Sequence, residues 1–87
     1  MRWEDRGRLL FSYGLIQYAI GEQSGDAAAL EQAVAAFREA LKEYTRERAP
    51  LEWAGTQNNL GMALQSLAER ENGNEPPEQA SRPFARR

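Results

Sequence analysis

The sequence predicts an all-α protein: an antiparallel three-helix unit followed by a disordered tail. Three observations predict it. Leu30, Ala33, Phe37, Ala40, Leu41 and Tyr44 recur at i, i+3, i+4, i+7 spacing, the signature of one apolar helix face. Small residues cluster around a single aromatic in Ala33-Val34-Ala35-Ala36-Phe37-Arg38-Glu39-Ala40, as where two helices touch closely. Glycines near residue 21–25 and a proline at 50 divide the chain into three helical segments, and no strand-like alternation appears.

The first helix is expected from near Arg2 to Ile20. Trp3, Leu10, Tyr13, Gln17 and Ile20 follow helical spacing, with Leu9 and Ile16 beside them, so it is more apolar than one buried face requires. Gly21 and Gly25 offer two stops. Gly14 in its middle costs about 1 kcal/mol against alanine, which points to a second backbone passing close.

The second helix opens on Asp26, whose carboxylate can accept orphan amide hydrogens and favours the positive pole of the helix. Glu39–Lys42 and Glu43–Arg46 stand three apart on its outer side. Arg46-Glu47-Arg48 reads as a solvated helix end. Pro50 then suits a first helical turn, and the third helix runs from about Leu51 to Glu71. Trp53, Leu60, Leu64 and Leu67 mark its apolar stripe, with Gly61 and Ala68 as small contacts. Residues 1–73 thus form one helical domain. Residues 74–87 form a tail with three prolines whose only large apolar residue is Phe84.

Charge and composition narrow the function. Eleven basic and 13 acidic residues give a net charge of −2, too mild for strong nucleic-acid steering. There is no cysteine and no histidine, which removes thiol chemistry, the commonest metal ligand and the commonest general base. No glycine-rich phosphate loop is present, and Glu69, Glu71 and Glu75 lack the fixed loop of a metal site. No cofactor and no catalysis are expected. Arg2, Arg6 and Arg8 before the run Leu9 to Ile20 loosely imitate a signal peptide. Glu4 and Asp5, with Ser12, Tyr13, Gln17 and Tyr18, spoil that pattern, and no run suits a membrane span. A cytoplasmic protein is expected, without nucleic-acid or membrane partners.

The helix-pairing residues resemble the tetratricopeptide repeat, whose pattern is W-x2-L-G-x2-Y, then A-x3-F, then a proline. Leu60-Gly61 matches the pair on the first helix of a repeat, with Leu64 at the tyrosine place. Ala33-x3-Phe37 matches the second helix and Ala40 follows it; Pro50 stands for the inter-repeat proline. Tyr13-Gly14 takes the Leu-Gly place in the first helix. Gly14 to Gly61 is a period of 47, against 34 for the standard repeat, which resembles the long-helix variant found in tandem arrays of bacterial proteins.

The resemblance implies the order A1, B1, A2, about one and a half repeats, with Glu75-Pro76-Pro77 opposing a second B helix in register. Stacked repeats cover one another's apolar faces, so helix 3 is expected to be half covered. Trp53, Leu60, Leu64 and Leu67 are then the candidate seam of a homo-oligomer, closed as a dimer or open as a fibre. The resemblance also implies capture of a peptide segment of another protein on the A-helix surface, with Gln57, Asn58 and Asn59 as the gripping amides. Tyr18, off the main apolar stripe, is the tyrosine expected to face a groove or a partner. Expected, then, is a non-catalytic scaffold or adaptor. The alternative is a pure assembly unit, or a fragment of a longer array with no ligand of its own.

Overall fold

The computed structural model describes residues 2–71 and consists of three α-helices, α1 (Trp3–Ser24), α2 (Ala27–Glu43) and α3 (Pro50–Glu71). The tail assigned to disorder lies outside the described residues. α2 is the central element: it packs along α1 on one side and against α3 on the other, while α1 and α3 barely touch. Leu30, Ala33, Phe37 and Ala40 of α2 are fully buried, and so is Ala63 of α3.

The α1–α2 seam is a ladder of glycines. Gly7, Gly14 and Gly21 stand seven apart on α1 and are buried; Tyr44, Phe37 and Leu30 stand seven apart on α2 and run the other way. Each large side chain lies on the bare backbone of one glycine. A Cβ at Gly7, Gly14 or Gly21 would come within 2.7, 2.6 and 2.6 Å of Tyr44, Phe37 and Leu30 respectively. Seven residues are nearly two helical turns, so the three glycines share one face. The close approach expected at Gly14 is therefore one rung of three.

Gly21 does not stop the helix, contrary to expectation, because it is a seat for Leu30 in mid-seam. The terminator is Gly25, at φ 67 in the left-handed region that glycine adopts without strain. The Asp26 amide then donates to the Gly21 carbonyl at 3.1 Å, and Asp26 caps α2 by accepting from the amides of Ala28 and Ala29 at 3.0 and 3.3 Å. The two helices are thereby joined by the shortest of turns.

The far end of the hairpin is held by residues whose role the sequence left open. Trp3 and Tyr44 meet edge to face, with centroids 6.4 Å apart. The Arg48 guanidinium lies 4.3 Å from the centroid of the Trp3 ring and its Nε donates to the Glu43 carbonyl at 2.9 Å. Arg48 thus closes the negative pole of α2 and is not a merely solvated end. The Glu39–Lys42 pair forms at 3.0 Å. Glu43 turns to Arg6 at 2.9 Å and Arg48 at 3.4 Å, with Arg46 elsewhere, because the chain leaves the helix at Tyr44 and the three-apart geometry ends there. Arg46 instead lies 5.7 Å from the Trp53 ring centroid.

α3 docks on α2 through Leu60, Ala63 and Leu67, with Thr56 buried beside them; the Thr56 hydroxyl donates to the Glu52 carbonyl at 2.7 Å. Gly61 and Ala68, expected as small contacts, are exposed: the face that meets α2 is set by Leu60 and Ala63 and leaves them outside. Gly55 is also open, with nothing among the described residues within 4 Å of an added Cβ. Gly55→Ala should accordingly raise the unfolding free energy by about 0.5–1 kcal/mol, read by urea denaturation, since only helix propensity changes there.

Candidate interaction surface

α1 has a second face that nothing described covers. Leu9, Tyr13, Ile16 and Ile20 lie at i, i+4, i+7 and i+11 on the side away from the glycine ladder, and they are 59%, 45%, 58% and 42% exposed. With a rise of 1.5 Å per residue the stripe is about 17 Å long. Four large apolar side chains thus lie exposed along one helix face, and large contiguous apolar patches are uncommon on a lone soluble domain.

Its geometry repeats inside the molecule. The offset of 47 that superposes Gly14 on Gly61 carries Tyr13 onto Leu60, Ile16 onto Ala63, Ile20 onto Leu67 and Leu9 onto Thr56. Leu60, Ala63 and Leu67 are the α3 residues that seat on α2, and Thr56 is buried beside them. The open stripe of α1 therefore occupies the positions by which α3 accepts a helix.

The residues singled out from the sequence fall into two groups. Leu60 and Leu67 pack against the core formed by Ala33, Val34, Phe37 and Ala63, and Trp53 is half-buried. Leu64 alone of the four turns outward, 37% exposed, with Met62 and Leu51 also on the surface of α3. Most of the expected α3 seam is thus spent inside the chain, because α2 is flanked on both sides and takes α3 as its second cover. Tyr18 is half-buried against the same core, while Tyr13 is the exposed tyrosine. Gln57 and Asn58 are exposed. Asn58 Nδ2 reaches Met62 Sδ at 3.6 Å, and Asn59, half-buried, donates to the Gly55 carbonyl at 3.1 Å, a local bond.

The described residues also frame an open cleft of about 490 Å³ at the hairpin's far end, lined among others by Trp3, Glu4, Arg8, Tyr44, Arg48 and Glu52. Its charges are of both signs and mostly satisfied: Arg8 pairs with Asp5 at 2.6 Å and Arg2 with Glu4 at 3.2 Å. The hydrogen bond from Arg2 holds the Glu4 carboxyl below the usual range, so it stays ionised. Burial, and behind it the charge of Glu52, pushes the Tyr44 phenol above its ordinary value. Among the described residues no three His, Cys, Asp or Glu side chains are placed to hold a metal ion.

The sequence carried a signal for the α1 stripe in the excess apolar residues of the first helix, but not which of its two apolar sides is inside. No described helix is long and apolar enough to cross a membrane. No family model, curated protein or solved structure matches the chain.

Proposed function

We propose that this chain is a non-catalytic protein-interaction module that associates with a second copy of itself through the outer face of α1. The observation that carries this reading is the exposed stripe Leu9, Tyr13, Ile16 and Ile20, placed as the helix-accepting face of α3 is placed. Two copies with their stripes facing give a closed, isologous contact. The tetratricopeptide-like organisation A1, B1, A2 belongs to the same proposal, supported by the 47-residue correspondence between α1 and α3. The cytoplasm is the compartment this reading assigns, on the acidic Glu4 and Asp5 and the polar Ser12 and Gln17 that break the basic-then-apolar pattern of a signal peptide.

A second reading, capture of a peptide segment of another protein, is favoured by the exposure of Gln57 and Asn58 on α3. In that reading self-association is secondary and the amides grip peptide backbone.

Ile16→Glu tests the first reading. The residue is exposed, so the helices should persist by circular dichroism. A buried unpaired charge at the seam should weaken association by about 100-fold or more in sedimentation velocity. Unchanged association would remove α1 from the interface. Dissociation by Leu64→Glu alone would return the seam to α3.

A further inference from the structure

We propose that the outer face of α3 is the seat of this chain's own segment 78–84, docked in the register in which α2 sits on α1. This inference does not depend on self-association through α1, which uses a different face.

The seat is a copy of one already filled. Adding 47 to Gly7, Gly14 and Gly21 gives Ala54, Gly61 and Ala68, again small residues seven apart. All three are exposed, and among the described residues nothing lies within 4 Å of a Cβ built at Gly61. On α1 the matching places hold Tyr44, Phe37 and Leu30. Leu64, one turn from Gly61, leaves an apolar side chain on the same open face.

The occupant is written in the chain beyond α3. Glu31-Gln32-Ala33, followed by Phe37, recurs as Glu78-Gln79-Ala80, followed by Phe84, at the same offset of 47. One shift thus relates the three seats and, at the middle rung, the side chain that fills it: Phe84 stands to Gly61 as Phe37 stands to Gly14. The connection corresponds at one position and departs at the next, where Gly73 replaces the capping Asp26. Asn72 occupies the place of Gly25, whose φ is 67, and asparagine is the residue after glycine that takes that conformation most readily.

Both sides of the second seam are more polar than the first. Phe11 and Tyr18, which pack on the α2 core, correspond to Asn58 and Gln65, while Val34 corresponds to Ser81. The prolines set the limits. Pro77 stands at Leu30 and is tolerated in a first turn. Pro83 stands at Ala36, where its ring and missing amide oppose a continuous helix. The prolines that argue against a full second hairpin therefore weaken the helix without disturbing the spacing of Ala80 and Phe84.

The test is the sign of one substitution in the full chain, read as melting temperature at a concentration where the protein is monomeric. On an open helix Gly61→Ala raises the melting temperature by several degrees, because only helix propensity changes. With Phe84 seated on Gly61, the new Cβ collides as it would at Gly14, and the melting temperature falls. We expect Gly61→Ala to lower it in the native background and to raise it when combined with Phe84→Ala. Pro83→Ala, which restores the residue found at Ala36, should raise it only while Phe84 is present. The reversal should persist with Ile16→Glu, so loss of self-association leaves this proposal standing. An equal rise from Gly61→Ala with and without Phe84→Ala overturns it. A reversal that appears only at concentrations where the chain associates overturns docking within one chain and assigns the seat to a second copy's segment.

Discussion

Phe37→Ala is expected to cost about 3–5 kcal/mol, enough to leave much of the chain unfolded. Phe37 is fully buried, lies on the backbone of Gly14 and meets the Phe11 ring at 5.8 Å. It is the middle rung of the α1–α2 ladder and part of the core that receives α3. A helical unit of this size has a total stability of about 4–10 kcal/mol at 0.05–0.15 kcal/mol per residue. Losing the ring therefore takes a large share of what holds all three helices. Urea denaturation followed by circular dichroism reads the loss directly. A cost under about 1.5 kcal/mol would mean that the seam closes over the cavity and that Phe37 is not its pivot.

Gly14→Leu should be comparably severe for the opposite reason. The first added carbon alone would come within 2.6 Å of the Phe37 ring, and three more must follow it. Overpacking typically costs about 1–3 kcal/mol, and here the obstruction lies between two helix backbones, so the loss should reach the top of that range or exceed it. The gain in helix propensity from replacing glycine, about 1 kcal/mol, does not offset it. The strongest form of the experiment joins the two changes. If leucine from α1 fills the space vacated by the aromatic ring, Gly14→Leu with Phe37→Ala should be more stable than the sum of the single losses implies. Additive losses would place the two residues out of contact.

The elements themselves were legible because their signals are local. Asp26 caps α2 by a bond two and three residues on, and Pro50 starts α3, so each boundary rests on chemistry within one turn of chain. The α2 stripe was legible because that helix has one clear apolar face. α1 and α3 were harder. α1 is apolar on two sides, and periodicity cannot say which side faces inward. Tyr13 falls on the counted stripe and Tyr18 off it, yet Tyr18 packs on the core and Tyr13 faces out. The glycine ladder was present as a seven-residue spacing, but its meaning needs the antiparallel pairing with Leu30, Phe37 and Tyr44. Without that pairing Gly21 passes for a helix stop. Arg48 lies beyond the end of α2, and only the approach of Trp3 from α1 reveals it as a clasp.

The candidate surface shifted for the same reason. Stripe counting places Trp53, Leu60, Leu64 and Leu67 together on α3, but a central helix has two sides to fill. α2 gives one side to the glycines of α1 and the other to Leu60, Ala63 and Leu67. The α1 positions equivalent to that second contact, Leu9, Tyr13, Ile16 and Ile20, stay exposed, as Leu51, Met62 and Leu64 do on α3.

Solution mass by light scattering across a wide range of concentration tests self-association most directly. Self-association through α1 predicts a mass rising toward twice that of the monomer as concentration increases, and a return to the monomer with Ile16→Glu. A folded monomer at every concentration would contradict it, and would mean that the α1 stripe waits for a different protein.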